Sequence, residues 1–317
     1  MSSVLLVLCN QGRPLRVATP QQEDSPNTMT FGQTAALGAI AGLTIFIGLP
    51  LGRVRGLSTT VRLALAMFSV GVLAFLFMDV MAEAFGYVEH TVEALKEKEG
   101  SVGEVLLYTV LLAGGFLLGS AGLGWLDTKM KGNSKPKAVT PIAGGDAAAT
   151  ISCAETRHFV DEAEIAKRKV LRTGLLIALA IGIHNLGEGL AIGVSARSGQ
   201  MSLATVLVVG FALHNATEGF GIVGPLGSVR PSWRWLGAAG LIAGAPTFIG
   251  TVVGWNVQAD ALEVACYALA GGAIFYVIGE IWNAMRRLGH RELGLLMIGA
   301  GFIVGAVTDL VVVYGGG

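Results

Sequence analysis

Two short polar motifs interrupt long apolar stretches in the second half of the chain. Residues 184–189 read H-N-L-G-E-G and residues 214–219 read H-N-A-T-E-G, so the pattern H-N-x-x-E-G occurs twice with an offset of 30 residues. In a helix, side chains at i and i+4 share one face, which places His184 over Glu188 and His214 over Glu218. Imidazole nitrogen with carboxylate oxygen is a ligand combination for Zn²⁺, Fe²⁺, Mn²⁺ or Cd²⁺. Each motif therefore predicts a metal-binding helix face.

The two motifs are predicted to lie at the same depth on neighbouring helices. His184 precedes a predicted turn near Ser198 by 14 residues, and His214 follows that turn by 16. At about 1.5 Å of rise per residue, both histidines lie roughly 20 Å from that end of the helix pair. We expect one shared site in which the two carboxylates bridge two metal positions and the asparagines complete the second. The expected ligands are His184, Asn185, Glu188, His214, Asn215 and Glu218.

A purely structural explanation exists for a single such motif, because a buried His–Glu hydrogen bond can hold two membrane helices together. Two copies at matching depth favour metal binding over that explanation. The three cysteines, Cys9, Cys153 and Cys266, have no paired spacing. They predict neither a disulfide framework nor a thiolate metal site. Without a thiolate ligand, we expect the metal to be bound moderately and to exchange.

Composition indicates the kind of protein that must position these motifs. Hydrophobic residues make up 53% of the 317-residue chain and charged residues only 14%, with a mean hydropathy of +0.65. A soluble domain is usually about a quarter charged, so a lipid bilayer is the expected surrounding. The net charge of zero argues against a nucleic-acid partner. We predict an all-α integral membrane protein.

Apolar stretches of about 20 residues, the length that crosses a bilayer as a helix, occur eight times. The 46 glycines suit close packing of such helices. The predicted spans are 33–51, 61–85, 103–125, 170–195, 202–224, 235–255, 261–284 and 294–314.

Lysine and arginine predict the orientation of the spans, since cytoplasmic loops carry the excess. These residues concentrate in alternate connections, above all around residues 126–169, so we expect both termini on the extracytoplasmic side. The predicted organisation is a disordered or misassigned tail (1–30), three spans (31–126), a cytoplasmic loop (127–168) and five spans with the metal site (169–317).

The motifs, spans and long third loop resemble the ZIP (Zrt/Irt-like) family of divalent metal transporters, and the chain looks like a divergent, prokaryotic-type member. The resemblance implies a 3+2+3 arrangement of eight spans in the cell membrane. It further implies that the six motif residues form a binuclear site that conducts zinc, and also iron, manganese or cadmium, towards the cytoplasm. The ion is then cargo, and no catalytic cofactor is expected.

The resemblance extends to two acidic positions outside the motifs. Asp79 and Glu83 in span 2 match a family segment that ends in an acid or histidine followed by P-E-A, so Asp79 is expected near the outer mouth. Glu280 in span 7 stands where members often have His-Glu. Both Asp79 and Glu280 are expected on the metal path.

Three positions depart from the family pattern. Gly187 and Thr217 replace the proline of the two motifs, and Ala245 replaces the glutamate that commonly precedes a proline in span 6. A proline inside a helix frees backbone carbonyls and bends it, so these changes affect how each helix shapes the site.

Two other functions compete with transport. An intramembrane metal-dependent hydrolase could use His-x-x-x-Glu as zinc ligands, but no H-E-x-x-H occurs to supply the general base of that motif. A membrane metal sensor would bind tightly without transport. We expect a transporter and not an enzyme, and the sequence leaves a homodimer open.

Overall fold

The computed structural model describes residues 29–131, 153–199 and 201–316, and the regular structure of these ranges is entirely helical. Most of the predicted tail, residues 1–28, and the centre of the predicted loop, residues 132–152, lie outside the described part. Eight long helices are described: α1 (Phe31–Leu43, continued by Ile45–Gly48 and Leu49–Arg53), α2 (Thr59–Lys96), α3 (Val102–Leu117, Leu118–Gly122 and Leu123–Lys131), α4 (Cys153–Arg197), α5 (Met201–Val223), α6 (Trp233–Asn256), α7 (Asp260–Met285) and α8 (Arg291–Gly316).

Most helices begin and end within a few residues of the predicted spans, because polar caps flank the apolar stretches. The hydroxyls of Ser58, Ser101 and Ser232 accept the backbone N–H three residues ahead and start α2, α3 and α6. Helix α2 runs beyond its predicted end at 85, because Tyr87 and Val88 still pack against a small cluster formed with α3 and α7. Helix α4 starts well before its apolar part, at Cys153.

Seven of the eight helices are long and apolar enough to cross a membrane, judged by length and composition over the described residues. The helix outside this group is α5, which has 23 residues and whose first side chains lie partly outside the described part. The prediction of an all-α, multi-pass membrane protein is confirmed.

The helices pack as two groups of four. Helices α1, α4, α5 and α6 pack on one another, and we call this group the motif bundle because it contains both H-N-x-x-E-G motifs. Helices α2, α3, α7 and α8 form the second bundle. The two bundles meet where α4 packs on α7 and where α5 packs on α2 and α8.

Glycines bring the backbones of neighbouring helices together inside each bundle. A Cβ atom on Gly250 of α6 would overlap the Leu186 carbonyl of α4. In the second bundle, a Cβ on Gly119 would overlap the Leu269 carbonyl of α7. Gly119 lies in the π-helical turn Leu118–Gly122, which interrupts α3 where it approaches α7. Small residues therefore set the distances at which the helices hold their polar groups.

Candidate metal site

The six motif residues are buried inside the motif bundle. Helix α4 supplies the first three and helix α5 the other three, and none is more than 6% exposed: His184, Asn185, Glu188, His214, Asn215 and Glu218. Ionisable groups at membrane depth are costly and rare, so this concentration marks a functional site.

The structure brings the two motifs into direct contact through His184. Its Nε2 atom lies 3.1 Å from Glu188 Oε1 on the same helix and 3.6 Å from Glu218 Oε1 on α5. The first distance reflects the i,i+4 spacing, and the second joins the two helices as matching depth predicts. His214 lies within electrostatic range of Glu188 and His184. The histidines and carboxylates of both motifs therefore form one group.

The asparagines are held by neighbouring helices. Asn185 Nδ2 donates a hydrogen bond to the carbonyl of Ala243 in α6, at 2.9 Å, and Asn215 Nδ2 donates to the carbonyl of Ala41 in α1, at 3.0 Å. With each amide nitrogen engaged on the backbone, the Oδ1 atom is the one left to accept a donor or a cation. Asn185 also lies near the Glu218 carboxylate.

Most polar atoms of this group have no hydrogen-bond partner among protein groups. The atoms concerned are both ring nitrogens of His184 and His214, both carboxylate oxygens of Glu188 and Glu218, and Oδ1 of Asn185 and Asn215. A buried charge is tolerated when it is paired or coordinates a metal, and the carboxylate oxygens of Glu188 and Glu218 accept no hydrogen bond from the described part of the protein. The donor set suits a borderline divalent cation.

Side-chain rotation is needed before these groups could surround one ion. Among residues 29–131, 153–199 and 201–316, no three His, Cys, Asp or Glu side chains are placed so that a metal could be held by all of them. The direct His184–Glu188 contact explains this, since the imidazole and the carboxylate point at each other.

Asp79, predicted at the outer mouth, lies close to the motif group. It is half-buried on α2 and interacts electrostatically with Glu188 and His184, as well as with Glu83 and Asp309. It therefore links the motif residues to two further acids carried by the second bundle.

Glu280 lies near a group of polar residues on α3, α4 and α7. It is an electrostatic neighbour of Tyr276 on α7, together with Asp127 and Arg172. Arg172 of α4 reaches both the Asp127 carboxylate of α3, at 3.9 Å, and the Met130 carbonyl at the end of that helix. The structure thus places Asp79 within electrostatic range of Glu188 and His184, and Glu280 beside Tyr276.

The structure shows the contacts of the three residues that depart from the family pattern. Thr217 donates its hydroxyl to the carbonyl of His214, and its own carbonyl accepts a hydrogen bond from Ser69 of α2. Gly187 faces α7, where a Cβ atom would lie 3.5 Å from Ala270. Ala245 lies on an exposed face of α6, so a glutamate at that position would point away from the motif residues.

Sequence reasoning missed the carbonyls of Ala41 and Ala243, because a backbone acceptor has no residue type of its own. A signal for them does exist. Both alanines are the centre of an Ile-Ala-Gly triplet, at 40–42 in α1 and at 242–244 in α6.

Comparison with known proteins points in one direction. Residues 151–304 match the family described as ZIP Zinc transporter. The chain is 26% identical over 281 residues to Zinc transporter ZupT of Streptococcus mutans, covering 86% of this chain and 95% of that protein. It is 27% identical over 283 residues to Zinc transporter ZupT of Corynebacterium glutamicum, covering 85% and 97%.

A third relative matches over a shorter stretch. The chain is 29% identical over 154 residues to Zinc transporter ZupT of Clostridium perfringens, a match that spans 47% of this chain and about half, 54%, of that relative. The family match covers both H-N-x-x-E-G motifs, which lie on two adjacent helices and meet at His184. These matches together support a ZIP family divalent metal transporter.

Proposed function

We propose that this protein transports divalent transition-metal cations, zinc foremost, across the cell membrane. The observation that carries the proposal is the buried contact of His184 with Glu188 and Glu218, which joins the motifs of α4 and α5. Zinc is supported by the relatives, which are named zinc transporters. Iron, manganese and cadmium are further candidates, since nitrogen and carboxylate ligands without thiolate accept all of them.

The site is proposed to hold two ions. Glu188 and Glu218 bridge the two positions, the histidines complete the first, and the Oδ1 atoms of Asn185 and Asn215 complete the second. The asparagines support this part, because their amide nitrogens are already engaged on Ala243 and Ala41. Neutral amide oxygens lend the second position less charge, so we expect it to bind its ion more weakly.

The proposed transport towards the cytoplasm rests on the family resemblance, and the distribution of lysine and arginine orients the path. The connections that carry most lysines and arginines are placed in the cytoplasm, which puts both termini outside and arranges the spans as 3+2+3. Ions then enter beside Asp79, which lies near the motif group, and leave towards the cluster that contains Glu280.

Movement of the motif bundle against the second bundle supplies alternating access in this proposal. Inside the bundles, glycines bring helix backbones into contact. Between the bundles, Gly187 meets α7 at ordinary van der Waals distance. This looser contact supports movement between the bundles, although Gly221 and Gly224 approach Ser69 and Ala66 of α2 more closely. The proposal leaves a homodimer open.

Transport is favoured over the hydrolase and the sensor. The matched relatives are named transporters, and the chain is accordingly a membrane transporter and not an enzyme. A symmetric ligand set on two helices also suits an ion that passes through better than a single reactive water.

Zinc flux into proteoliposomes tests the proposal. Glu188→Ala and Glu218→Ala variants are compared with Glu164→Ala, which removes an exposed carboxylate that pairs with Lys167. We expect the two motif variants to lose flux and the Glu164 variant to keep it. Unchanged flux in both motif variants would overturn the site, and the absence of flux in the unaltered protein would overturn transport.

A further inference from the structure

Helices α1 and α6 carry the same sequence pattern at opposite ends of the chain. Residues 38–52 and residues 240–254 both read G-x-I-A-G-x-x-x-F-I-G-x-x-x-G, with an offset of 202 residues. Glycines four residues apart lie on one helix face and allow a close neighbour. The motif bundle therefore contains two repeats: H-N-x-x-E-G in α4 and α5, and this glycine pattern in α1 and α6.

The hydrogen bonds of the asparagines follow both repeats. Asn185 bonds the carbonyl of Ala243, and Asn215, 30 residues later, bonds the carbonyl of Ala41, 202 residues earlier. Equivalent amides thus engage equivalent carbonyls. Helix α6 accepts the hydrogen bond from the asparagine of the α4 motif, and α1 accepts the equivalent hydrogen bond from the α5 motif.

The glycines that end the two motifs obey the same correspondence. A Cβ atom on Gly189 would overlap the carbonyl of Thr247, and one on Gly219 would lie 2.7 Å from the carbonyl of Ile45. Thr247 and Ile45 occupy equivalent positions in the α6 and α1 pattern. Each motif helix is therefore seated on its neighbour by an asparagine and, one turn later, by a glycine.

The two neighbours meet at a single crossing next to the asparagine anchors. A Cβ on Gly42 would overlap the Gly244 carbonyl, and a Cβ on Gly244 would overlap the Gly42 carbonyl. These glycines directly follow Ala41 and Ala243, whose carbonyls hold the asparagines. The distance between α1 and α6 at this crossing therefore sets the distance between the two anchors.

We infer that α1 and α6 are a matched pair of positioning helices, and that the Gly42–Gly244 crossing fixes how the Asn185 and Asn215 amides face the site. This inference rests on the proposed function, in which the amide oxygens receive an ion. Each Nδ2 is engaged on a carbonyl, and each Oδ1 is buried without a hydrogen-bond partner. An added methyl at the crossing separates the helices and turns both amides.

Zinc binding by the purified full chain in detergent, measured by calorimetry, tests the positioning role. The variants are Gly42→Ala and Gly244→Ala, with Gly71→Ala as the matched control. A Cβ on Gly71 overlaps the Ile298 carbonyl between α2 and α8, which is the same steric conflict in the second bundle. We expect zinc affinity to fall about 10- to 100-fold in the crossing variants, as for other groups that orient metal ligands. The Gly71 variant is expected to keep its affinity although its melting temperature falls.

Equal loss of affinity in Gly71→Ala, or wild-type affinity in both crossing variants, would overturn the positioning role. If the crossing variants fail to fold, Asn185→Ala and Asn215→Ala test the inference instead. If α1 and α6 position the two asparagines equivalently, the two variants should lose similar amounts of zinc affinity. Wild-type affinity in either one would overturn the inference. Failure of the unaltered protein to bind zinc would instead refute the proposed function, so the two failures are distinguishable.

Discussion

Both bundles contain acidic side chains that are almost fully buried, but the hydrogen-bond partners of these side chains differ. In the second bundle, Glu263 is 7% exposed and accepts a hydrogen bond from the Tyr87 hydroxyl at 2.6 Å. In the motif bundle, the carboxylate oxygens of Glu188 and Glu218 have no hydrogen-bond partner, and their near neighbour is a histidine. Burial alone therefore does not mark a metal ligand. What distinguishes Glu188 and Glu218 from Glu263 is that neither accepts a hydrogen bond from the residues that the structure describes.

Glycines inside a bundle approach different atoms from those that glycines approach at the interface between the bundles. Inside the motif bundle, Gly189 and Gly250 approach the backbone of the neighbouring helix. Across the interface, Gly221 meets the Ser69 side chain and Gly224 meets the Ala66 side chain. The Ser69 side chain can rotate away, whereas the Cβ of Ala66, like a backbone in contact, moves only with its helix. Each bundle is thus built as a unit.

The largest expected effect separates the two kinds of buried acid. Glu218→Gln removes a charge from the motif group, and we expect zinc flux into proteoliposomes to fall at least about 100-fold, since a lost ligand costs no less than a lost orienting group. Glu263→Gln keeps an oxygen that can accept from Tyr87, so its flux is expected to stay within about twofold of wild type. Equal losses in the two variants would remove the distinction.

A pair of neighbouring glycines tests the difference between bundle and interface. Gly189→Ala places a methyl against the Thr247 backbone, and overpacking of this kind costs about 1–3 kcal/mol. Gly187→Ala meets Ala270 and Tyr267 at contact distance, and the higher helix propensity of alanine offsets any cost by up to about 1 kcal/mol. Thermal unfolding followed by circular dichroism measures both. A Gly187 variant as unstable as the Gly189 variant would show an interface packed as tightly as a bundle interior.

The sequence predicted the helices and the first group of site residues because both depend on local chemistry. Span length is set by bilayer thickness, and i,i+4 spacing alone brings His184 to Glu188. The extension of α2 beyond residue 85 was missed, since Tyr87 and Val88 are held by packing against α3 and α7 and not by apolar length.

The features that could not be predicted from the sequence depend on contacts between helices that are distant in the chain. Asp79 and Glu280 were both expected on the metal path, and only packing shows that Asp79 lies within electrostatic range of the motif residues and that Glu280 lies near Tyr276. The glycine pattern shared by α1 and α6 was present in the sequence, but it is difficult to recognise in a chain with 46 glycines. The structure shows what this pattern positions, because the carbonyls of Ala41 and Ala243 accept hydrogen bonds from the motif asparagines.

A smaller effect is expected where an ion pair crosses between the bundles. Arg172 belongs to α4 and reaches Asp127 and the Met130 carbonyl of α3. Arg172→Ala deprives the buried Asp127 of this cation, and we expect a loss of about 1–2 kcal/mol in unfolding free energy, moderated because the arginine side chain is 22% exposed. Adding Asp127→Asn should restore part of the stability, as a chemical-denaturation double-mutant cycle will measure. Strictly additive effects would contradict a direct pairing.

The smallest expected effect concerns the hydrogen bond from Ser69 of α2 to the Thr217 carbonyl of α5, 3.1 Å long and next to Glu218. A buried hydrogen bond is worth about 1 kcal/mol, so its loss in Ser69→Ala lowers the cost of leaving the present arrangement by a similar amount. We expect maximal zinc flux to rise up to about fivefold while the KM for zinc stays unchanged. Ser120→Ala is the control, because that hydroxyl bonds the Phe116 carbonyl within its own helix. A changed KM in the Ser69 variant would make the serine part of the ion site and not of the interface.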